Sequence, residues 1–191
     1  MDPVFTLQWC EFLVAQELQR LFPKSKHYSV LVPTSRQEKG IDLALVRKQP
    51  GEKSRVALIQ VKSSRTYMSE PPMRTATRRY RYFTWFNRFD PSPEADFFVL
   101  IGMYAPDPSR TKSVNAAWYK HCTLLLTFTE MEELMRSCLT VGGRPDRMFG
   151  FGFDSEDEIV QTRGDQHRQF KDFTACLLQR RQALLGQHLE A

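Results

Sequence analysis

The first part of the chain carries apolar residues at helical spacing, with a carboxylate among them. The segment from Thr6 to Phe22 contains no Gly or Pro, and its apolar positions recur every three or four residues up to Pro23. This pattern predicts an amphipathic helix with one face on the core. Glu11 lies in the middle of the apolar stripe, and Glu17 lies near its edge as a second candidate for chemistry.

Two apolar runs with the period of β-strands follow the helix. Residues 41–46 (IDLALV) and 56–62 (VALIQVK) predict two buried strands, and a Pro-Gly pair between them is a turn signal. We therefore expect the two runs to pair as an antiparallel hairpin. Because side chains alternate along a strand, Gln60 and Lys62 share one face at the end of the second run.

Four polar residues thus stand where their neighbours predict a core, namely Glu11, Asp42, Gln60 and Lys62. Burying such groups is costly unless they bind something charged. Glu11, Asp42 and Gln60 offer the oxygen ligands that Mg²⁺ prefers, and the backbone carbonyl of Val61 would complete such a site. Lys62 would orient or deprotonate the attacking water and stabilise negative charge on a phosphate. The set predicts metal-dependent hydrolysis of a phosphodiester.

The order of these residues resembles a known family. Glu11, then Gly40-Ile41-Asp42-Leu43, then Ile59-Gln60-Val61-Lys62-Ser63 is similar to the PD-(D/E)XK nuclease superfamily, in the QxK variant of restriction-endonuclease-like proteins of the Mrr type. Ile41 stands where the motif has Pro, and Gln60 stands where the commoner form has an acidic residue. The resemblance is clearest over residues 7–66 and extends weakly to about Phe128.

The resemblance implies an α/β fold with a restriction-endonuclease-like core, in which a mixed β-sheet is flanked by helices. It also implies cleavage of DNA with Mg²⁺ or Mn²⁺ as cofactor. The motif residues carried across are Glu11, Asp42, Gln60 and Lys62. Glu11, Asp42, Gln60 and Val61 would form the metal site.

A basic segment follows the predicted site directly. The chain has a formal net charge of +5, and residues 62–88 hold seven Lys and Arg against a single Glu. Aromatic residues are interleaved with these charges, a composition that suits phosphate contacts and stacking on bases. The predicted DNA-binding residues are Arg65, Arg74, Arg78, Arg79 and Arg81. Residues 74–88 are expected to form a helix, with Trp85 and Phe86 as core anchors.

The rest of the chain predicts further elements of one domain spanning residues 1–191. Residues 96–104 and 122–128 read as buried strands, and Thr129 with Glu132 forms a capping-box pattern that would start a helix running to about Leu139. The Gly-rich residues 142–153 are expected to form a loop. A closing amphipathic helix is expected from about Asp165 to Leu185, within a C-terminal helical extension that begins at about residue 163.

Composition limits the cellular setting. The sequence has no long apolar run and no N-terminal signal pattern, so we expect a cytoplasmic protein without a membrane span. The four cysteines are scattered without a CxxC pair, so no structural zinc is predicted. Residues 142–153 lack the pattern of a phosphate-binding loop.

Two alternatives to an active nuclease stay open at this point. Taken singly, Lys62 could extend to solvent, Asp42 could cap a turn and Glu11 could pair with an arginine. A catalytically inactive relative would use the same surface to bind nucleic acid or a protein partner, in a regulatory or immunity role. A structural protein would present its basic segment to an acidic partner. An enzyme that cuts both strands of DNA generally needs two active sites, so a homodimer is also open.

Overall fold

In the computed structural model, an eight-stranded, mostly antiparallel sheet and three α-helices make up the described part of this α/β chain. The structure describes residues 9–33, 40–51, 53–68, 80–104, 119–155 and 157–190. Within these ranges, no helix combines the length and the apolar character needed to cross a membrane.

The first helix, α1 (Trp9–Leu21), confirms the opening prediction over the residues described. Leu13, Val14, Ala15 and Leu18 are buried on the face that the spacing indicated. Glu11 lies in the first turn, where the helix dipole favours a negative charge.

Strand β3 (Arg55–Met68) is the longest strand and belongs to both halves of the sheet. The first half has the order β1-β2-β3-β5-β6, with β1 (Tyr28–Leu31), β2 (Leu43–Arg47), β5 (Phe97–Tyr104) and β6 (Lys120–Thr127). The predicted hairpin is confirmed, since β2 and β3 pair antiparallel from Leu43 opposite Ile59 to Arg47 opposite Arg55. β3 and β5 run parallel, and the predictions of β5 and β6 are confirmed.

The second half of the sheet continues from the far end of β3. Its order is β3-β4-β7-β8, with β4 (Tyr82–Asn87), β7 (Met148–Ser155) and β8 (Glu158–Arg163). Phe98 of β5, Phe86 of β4 and Phe151 of β7 share one core cluster, which α2 (Phe128–Ser137) also covers. A second cluster packs α1 and the C-terminal segment against the first half, around Ile59 and Val99.

The predicted helix at residues 74–88 is wrong over Tyr82–Asn87, which form β4. Tyr82, Thr84 and Phe86 are buried on one face of the strand. They alternate with Phe83, which is buried on the other face, and with the exposed Trp85. Phe86 is a core residue as expected, whereas Trp85 is 36% exposed.

The Gly-rich segment expected to be a loop contains the strand β7 over Met148–Ser155. Phe149, Phe151 and Phe153 fill the core, while Gly150 and Gly152 lie on the opposite face. An ideal Cβ on Gly150 would lie 2.3 Å from Trp85 Cδ1, and one on Gly152 would lie 2.8 Å from Tyr80 Cδ2. The glycines therefore make room for aromatic neighbours rather than for a turn.

The N-cap of helix α2 is Thr127, two residues before the predicted cap at Thr129, and the helix itself begins at Phe128. Thr127 Oγ1 accepts a hydrogen bond from Glu130 N (3.2 Å), and Glu130 Oε2 accepts one from Thr127 N (2.8 Å). This reciprocal pair forms the capping box, and the helix ends at Ser137.

The closing helix predicted from Asp165 to Leu185 is wrong for most of its length. Helix α3 is short (Gln182–His188), and two 3-10 turns precede it at Thr174–Cys176 and Leu178–Arg180. Asp165 accepts backbone hydrogen bonds from His167 and Gln169, so its side chain competes with a helical ladder. Arg168 and Phe170 have positive φ angles of 51° and 53°, which a helix does not contain.

Candidate active site

Asp42 makes hydrogen bonds to the two β3 residues on either side of Gln60. Its backbone N–H donates to the Ile59 carbonyl (2.9 Å), and its carboxylate Oδ2 accepts from Val61 N (2.7 Å). The predicted carboxylate is therefore held at the β3 segment that carries Gln60, Val61 and Lys62. Among the described residues, the second carboxylate oxygen accepts no hydrogen bond.

Gln60 is the most unusual polar residue of the site. Its side chain is 6% exposed, and Oε1 finds no hydrogen-bond donor among the described residues. An unsatisfied buried acceptor costs about 1–3 kcal/mol, so such an atom usually has a reason to be there. Its amide nitrogen points towards Gly40, since an ideal Cβ on that glycine would lie 3.4 Å from Gln60 Nε2.

Lys62 follows Gln60 on the same face of β3 and is partly buried. Its ammonium nitrogen lies 5.0 Å from the centre of the Phe89 ring. That ring is itself fixed by Phe98 and Phe149, with centroids at 6.2 and 6.4 Å. A cation over an aromatic face is attracted to it, so Phe89 orients the lysine.

The segment that connects β4 to β5 supplies this Phe89 and also Ser92. Gly40 has a φ of +91°, and an ideal Cβ there would lie 2.6 Å from both Cβ and Oγ of Ser92. Only a glycine therefore suits the position two residues before Asp42. Sequence reasoning missed Phe89 and Ser92 because they come from a distant segment with no recognisable motif.

Glu11 is placed near the same part of β3 by its neighbour Cys10. The Cys10 thiol is 3.5 Å from Met103 Sδ and also hydrogen-bonds the Ser63 side chain. Burial raises the pKa of the Cys10 thiol against the effect of the Ser63 hydrogen bond, and the negative charge of Glu11 adds to the rise. The first turn of α1 thus lies over Ser63, on the face of β3 opposite to Gln60 and Lys62, so α1 and those two side chains lie on different faces of the strand.

Glu17, the second candidate on α1, belongs to a different site. It accepts a hydrogen bond from Thr123 Oγ1 (3.0 Å) and lies 3.2 Å from His121 Nε2. These groups line a pocket of about 300 Å³ together with Arg20 and Gln179.

The polar residues coincide with a change of partners along β3. Pairing with β2 ends at Ile59, and pairing with β4 begins at Thr66. Between these points the backbone of β3 pairs with β5 alone in the described part of the chain. One edge of residues 60–63 therefore has no strand beside it in the described part of the chain, and Asp42 occupies part of that edge. At the next two residues, Ser64 and Arg65 hydrogen-bond with Trp85 and Thr84 of β4.

The predicted DNA-binding residues are placed only in part. Arg65 is exposed, three residues beyond Lys62 on β3. Arg81 lies at the other end of β4, where its backbone N–H donates to Asp154 Oδ1 (2.6 Å). Arg74, Arg78 and Arg79 lie outside the described residues.

The described residues contain no group of three or more His, Cys, Asp and Glu side chains that could hold a metal ion. The predicted set is of another kind, since it has two carboxylates, one carboxamide and a backbone carbonyl. Comparisons of the chain with protein-family models, curated proteins and solved structures gave no match.

Proposed function

We propose that this protein is a metal-dependent endonuclease that hydrolyses DNA phosphodiester bonds, with a restriction-endonuclease-like core around β2, β3 and β5. The observation that carries the proposal is the buried Gln60 Oε1, which has no donor among the described residues, beside a carboxylate fixed to the next residue of the strand. An acceptor of this kind is suited to a cation, which offers what a missing N–H would offer.

The donor set fits Mg²⁺ or Mn²⁺. Asp42, Gln60 and the Val61 carbonyl would hold the ion, and Glu11 would add a second carboxylate from α1 around the edge of β3, because α1 packs on the face opposite to Gln60. The ion would polarise the phosphate and make a bound water more acidic. Fixing Asp42 through Val61 N keeps its carboxylate in one orientation before any ligand arrives.

Lys62 would act on the phosphate and on the attacking water. Its ammonium group can donate to a phosphate oxygen and stabilise the charge that develops there. Contact with Phe89 limits the rotamers of a long side chain, so less entropy is lost when the phosphate binds. The exposed Arg65 would contact the DNA backbone three residues further along β3.

The test is cleavage of supercoiled, linear and branched DNA with Mg²⁺ or Mn²⁺, together with direct Mn²⁺ binding. We expect Asp42→Asn to lose both cleavage and Mn²⁺ binding, and Lys62→Met to lose cleavage while it still binds Mn²⁺. Asp90→Asn and Lys48→Met change exposed residues of the same types and should behave as wild type.

Cleavage that survives in both site variants would refute the proposal. A folded wild-type protein that binds DNA but neither binds Mn²⁺ nor cuts would favour the inactive relative. A protein that binds only an acidic protein would favour a structural role.

A further inference from the structure

The outer face of the second half of the sheet carries an exposed pair of aromatic rings, tilted by 36° to each other, that the catalytic proposal does not use. Trp85 of β4 and Tyr67 of β3 have ring centroids 5.4 Å apart and are 36% and 50% exposed. Arg163 of β8 lies with Cζ 5.9 Å from the centre of the Trp85 ring. We call these residues, with Gly150 and Arg65, the aromatic platform.

The register of the strands brings the platform together. Trp85 is opposite Gly150, and Gly150 is opposite Arg163, so the three form a row across β4, β7 and β8. Tyr67 is opposite Phe83, which places Tyr67 on the same face as Trp85, and Arg65 shares that face because it lies two residues from Tyr67.

Gly150 is what allows the indole to lie flat. A Cβ at this position would overlap Trp85 Cδ1 at 2.3 Å, so any side chain would lift the ring away from the sheet. The neighbouring part of the same face is closed, because Phe83 is packed with Tyr80, Val160 and Phe170. The platform is therefore the part of this face that remains open among the described residues.

The charge around the rings indicates the class of partner. Arg65 is exposed, and Asp146 fixes Arg163 through contacts of 3.4 Å to Nε and 3.2 Å to Nη2. Of the seven basic residues from Lys62 to Arg88, the strand register places Arg65 beside the rings, whereas Arg74, Arg78 and Arg79 lie outside the described residues. Aromatic faces beside arginines suit nucleobases with their phosphates, since each base has a ring face and each link has a negative charge.

We propose that the aromatic platform stacks unpaired bases of single-stranded DNA. Bases within a duplex have both faces covered by their neighbours, so only an unpaired base can lie on Trp85 and Tyr67. Arg65 and Tyr67 are three and five residues beyond Lys62 on β3, or roughly 10–17 Å along the strand, and these odd separations place them on the opposite face of β3 from Lys62. The platform would hold an unpaired stretch that reaches the Lys62 face around the edge of β3, and the choice of DNA rests on the proposed nuclease function.

The test measures binding without metal, so that it does not depend on cleavage. Fluorescence anisotropy with a labelled dT oligonucleotide, in EDTA and at several salt concentrations, compares wild type with Trp85→Leu, Tyr67→Ala and Arg65→Gln. We expect Trp85→Leu to weaken binding about 5- to 100-fold with an unchanged salt dependence. Arg65→Gln should reduce the salt slope by about 0.7, because it removes one phosphate contact.

Trp9→Leu is the matched control, since Trp9 is 51% exposed but lies on α1 with Phe12 and Tyr119. It should bind the oligonucleotide as wild type does. A duplex of the same length should bind more weakly than the single strand and should be insensitive to Trp85→Leu.

A second measurement keeps the test valid if Trp85→Leu does not fold. The chain has three tryptophans, so a Trp9→Phe, Trp118→Phe variant leaves Trp85 as the sole indole reporter. Oligonucleotide addition should quench its fluorescence, and an unchanged spectrum at saturation would overturn the proposal. Equal binding by wild type and folded Trp85→Leu, or binding of an RNA oligonucleotide alone, would overturn it as well.

The outcomes separate the two proposals. Trp85-dependent binding without any metal-dependent cleavage would leave the platform standing and remove the nuclease. Cleavage that depends on Asp42, with single-strand binding that ignores Trp85, would do the opposite.

Discussion

Replacing Gln60 by methionine is the most direct test of the reasoning about the site. Methionine has a similar length and no hydrogen-bonding demand, so Gln60→Met removes the buried oxygen for which the described residues offer no donor. Such an atom costs about 1–3 kcal/mol, and replacing it by an apolar group of similar shape recovers part of that cost. Because the amide nitrogen is lost too, we expect the metal-free protein to gain about 1 kcal/mol.

The expected effect is measurable by thermal unfolding in EDTA. A gain of about 1 kcal/mol corresponds to about 2–4 °C in Tm for a chain of this size. Mn²⁺ at one hundred times its Kd should then stabilise the wild type by about 2.7 kcal/mol and raise its Tm accordingly. The Tm of Gln60→Met should rise much less. The variant should also lose cleavage, so a more stable protein would be a less active one.

A second buried glutamine provides the matched control. Gln161 is 3% exposed, and its Nε2 donates to the Arg163 carbonyl (3.2 Å). Gln161→Met removes a satisfied hydrogen bond and should lower stability by about 1 kcal/mol. If Gln60→Met also lowers the Tm and the variant still cuts DNA, Gln60 is an ordinary structural residue and the argument for the site fails.

Three further predictions follow from the same contacts. Gly40→Ala should lower the free energy of unfolding in urea by about 2–4 kcal/mol, because of the positive φ at this position and the overlap of the new Cβ with Ser92. Gly51→Ala is the control and should cost about 1 kcal/mol, since Gly51 has a φ of +82° but nothing within 4 Å. Equal losses in the two variants would contradict the Ser92 contact. Phe89→Leu should lower kcat about 2- to 5-fold with little change in KM, because the Lys62 ammonium loses its aromatic partner. Single-turnover and steady-state kinetics measure both constants, and an unchanged kcat would show that the contact has no catalytic role. Burial opposes ionisation of Glu130, but hydrogen bonds from Arg181 and Thr127 hold the pKa of Glu130 below the ordinary value of 4.5. Arg181→Gln should therefore lower the free energy of unfolding by about 1–2 kcal/mol near neutral pH, after allowance for solvent screening. That cost should shrink as the pH falls below about 4.5 and through the lowered pKa, because protonated Glu130 no longer contributes the ion pair; a cost independent of pH in denaturant titrations would contradict this assignment.

The parts of the fold that the sequence predicted correctly are those with one dominant local signal. Helix α1 has an uninterrupted apolar stripe ended by Pro23, and the pairing of β2 with β3 follows from two apolar runs around a Pro-Gly turn. The buried runs of β5 and β6 are equally plain. In each case, local pattern and tertiary packing favour the same structure.

The wrong predictions concern segments whose structure is determined by the strands and side chains that pack against them. β4 lies among arginines and prolines, yet its alternation of buried and exposed residues has meaning only beside β3 and β7. Gly150 and Gly152 read as a loop because the sequence cannot show that Trp85 and Tyr80 need the space of their side chains. At the C-terminus, Phe173 and Leu177 recur at helical spacing, but Asp165 and Asp172 bind backbone N–H groups and stop the helix.

The candidate site likewise has a part that the sequence indicates and a part that depends on the fold. Glu11, Asp42, Gln60 and Lys62 could be named as candidates from their order along the chain, and the structure brings Asp42 to the β3 segment that carries Gln60 and Lys62. The residues that support the site, Phe89 and Ser92, could not be predicted from the sequence. They reach the site only through the fold, in the segment that leads from β4 back to β5. The contact between Asp42 and Val61 N likewise depends on where β2 begins relative to β3, and a pattern predicts strand ends less well than strand centres.

The costs to stability concentrate around one segment of the chain, and this concentration argues for a function there. Gly40 adopts a φ of +91° beneath Ser92, Gln60 Oε1 is buried without a donor, and residues 60–63 have no strand beside them on one edge among the residues described. A purely structural sheet would gain by removing each of these features, since a continuous β2 and an apolar residue at position 60 would serve it better. Buried polar groups that stay unsatisfied in a native structure are typical of sites that bind a ligand. The two other buried side-chain oxygens without a partner, on Thr66 and Thr162, lie on strands of the second half of the sheet, and no carboxylate is fixed beside them in the contacts of the described residues. The combination with Asp42 is what separates the Gln60 site from an incidental packing defect.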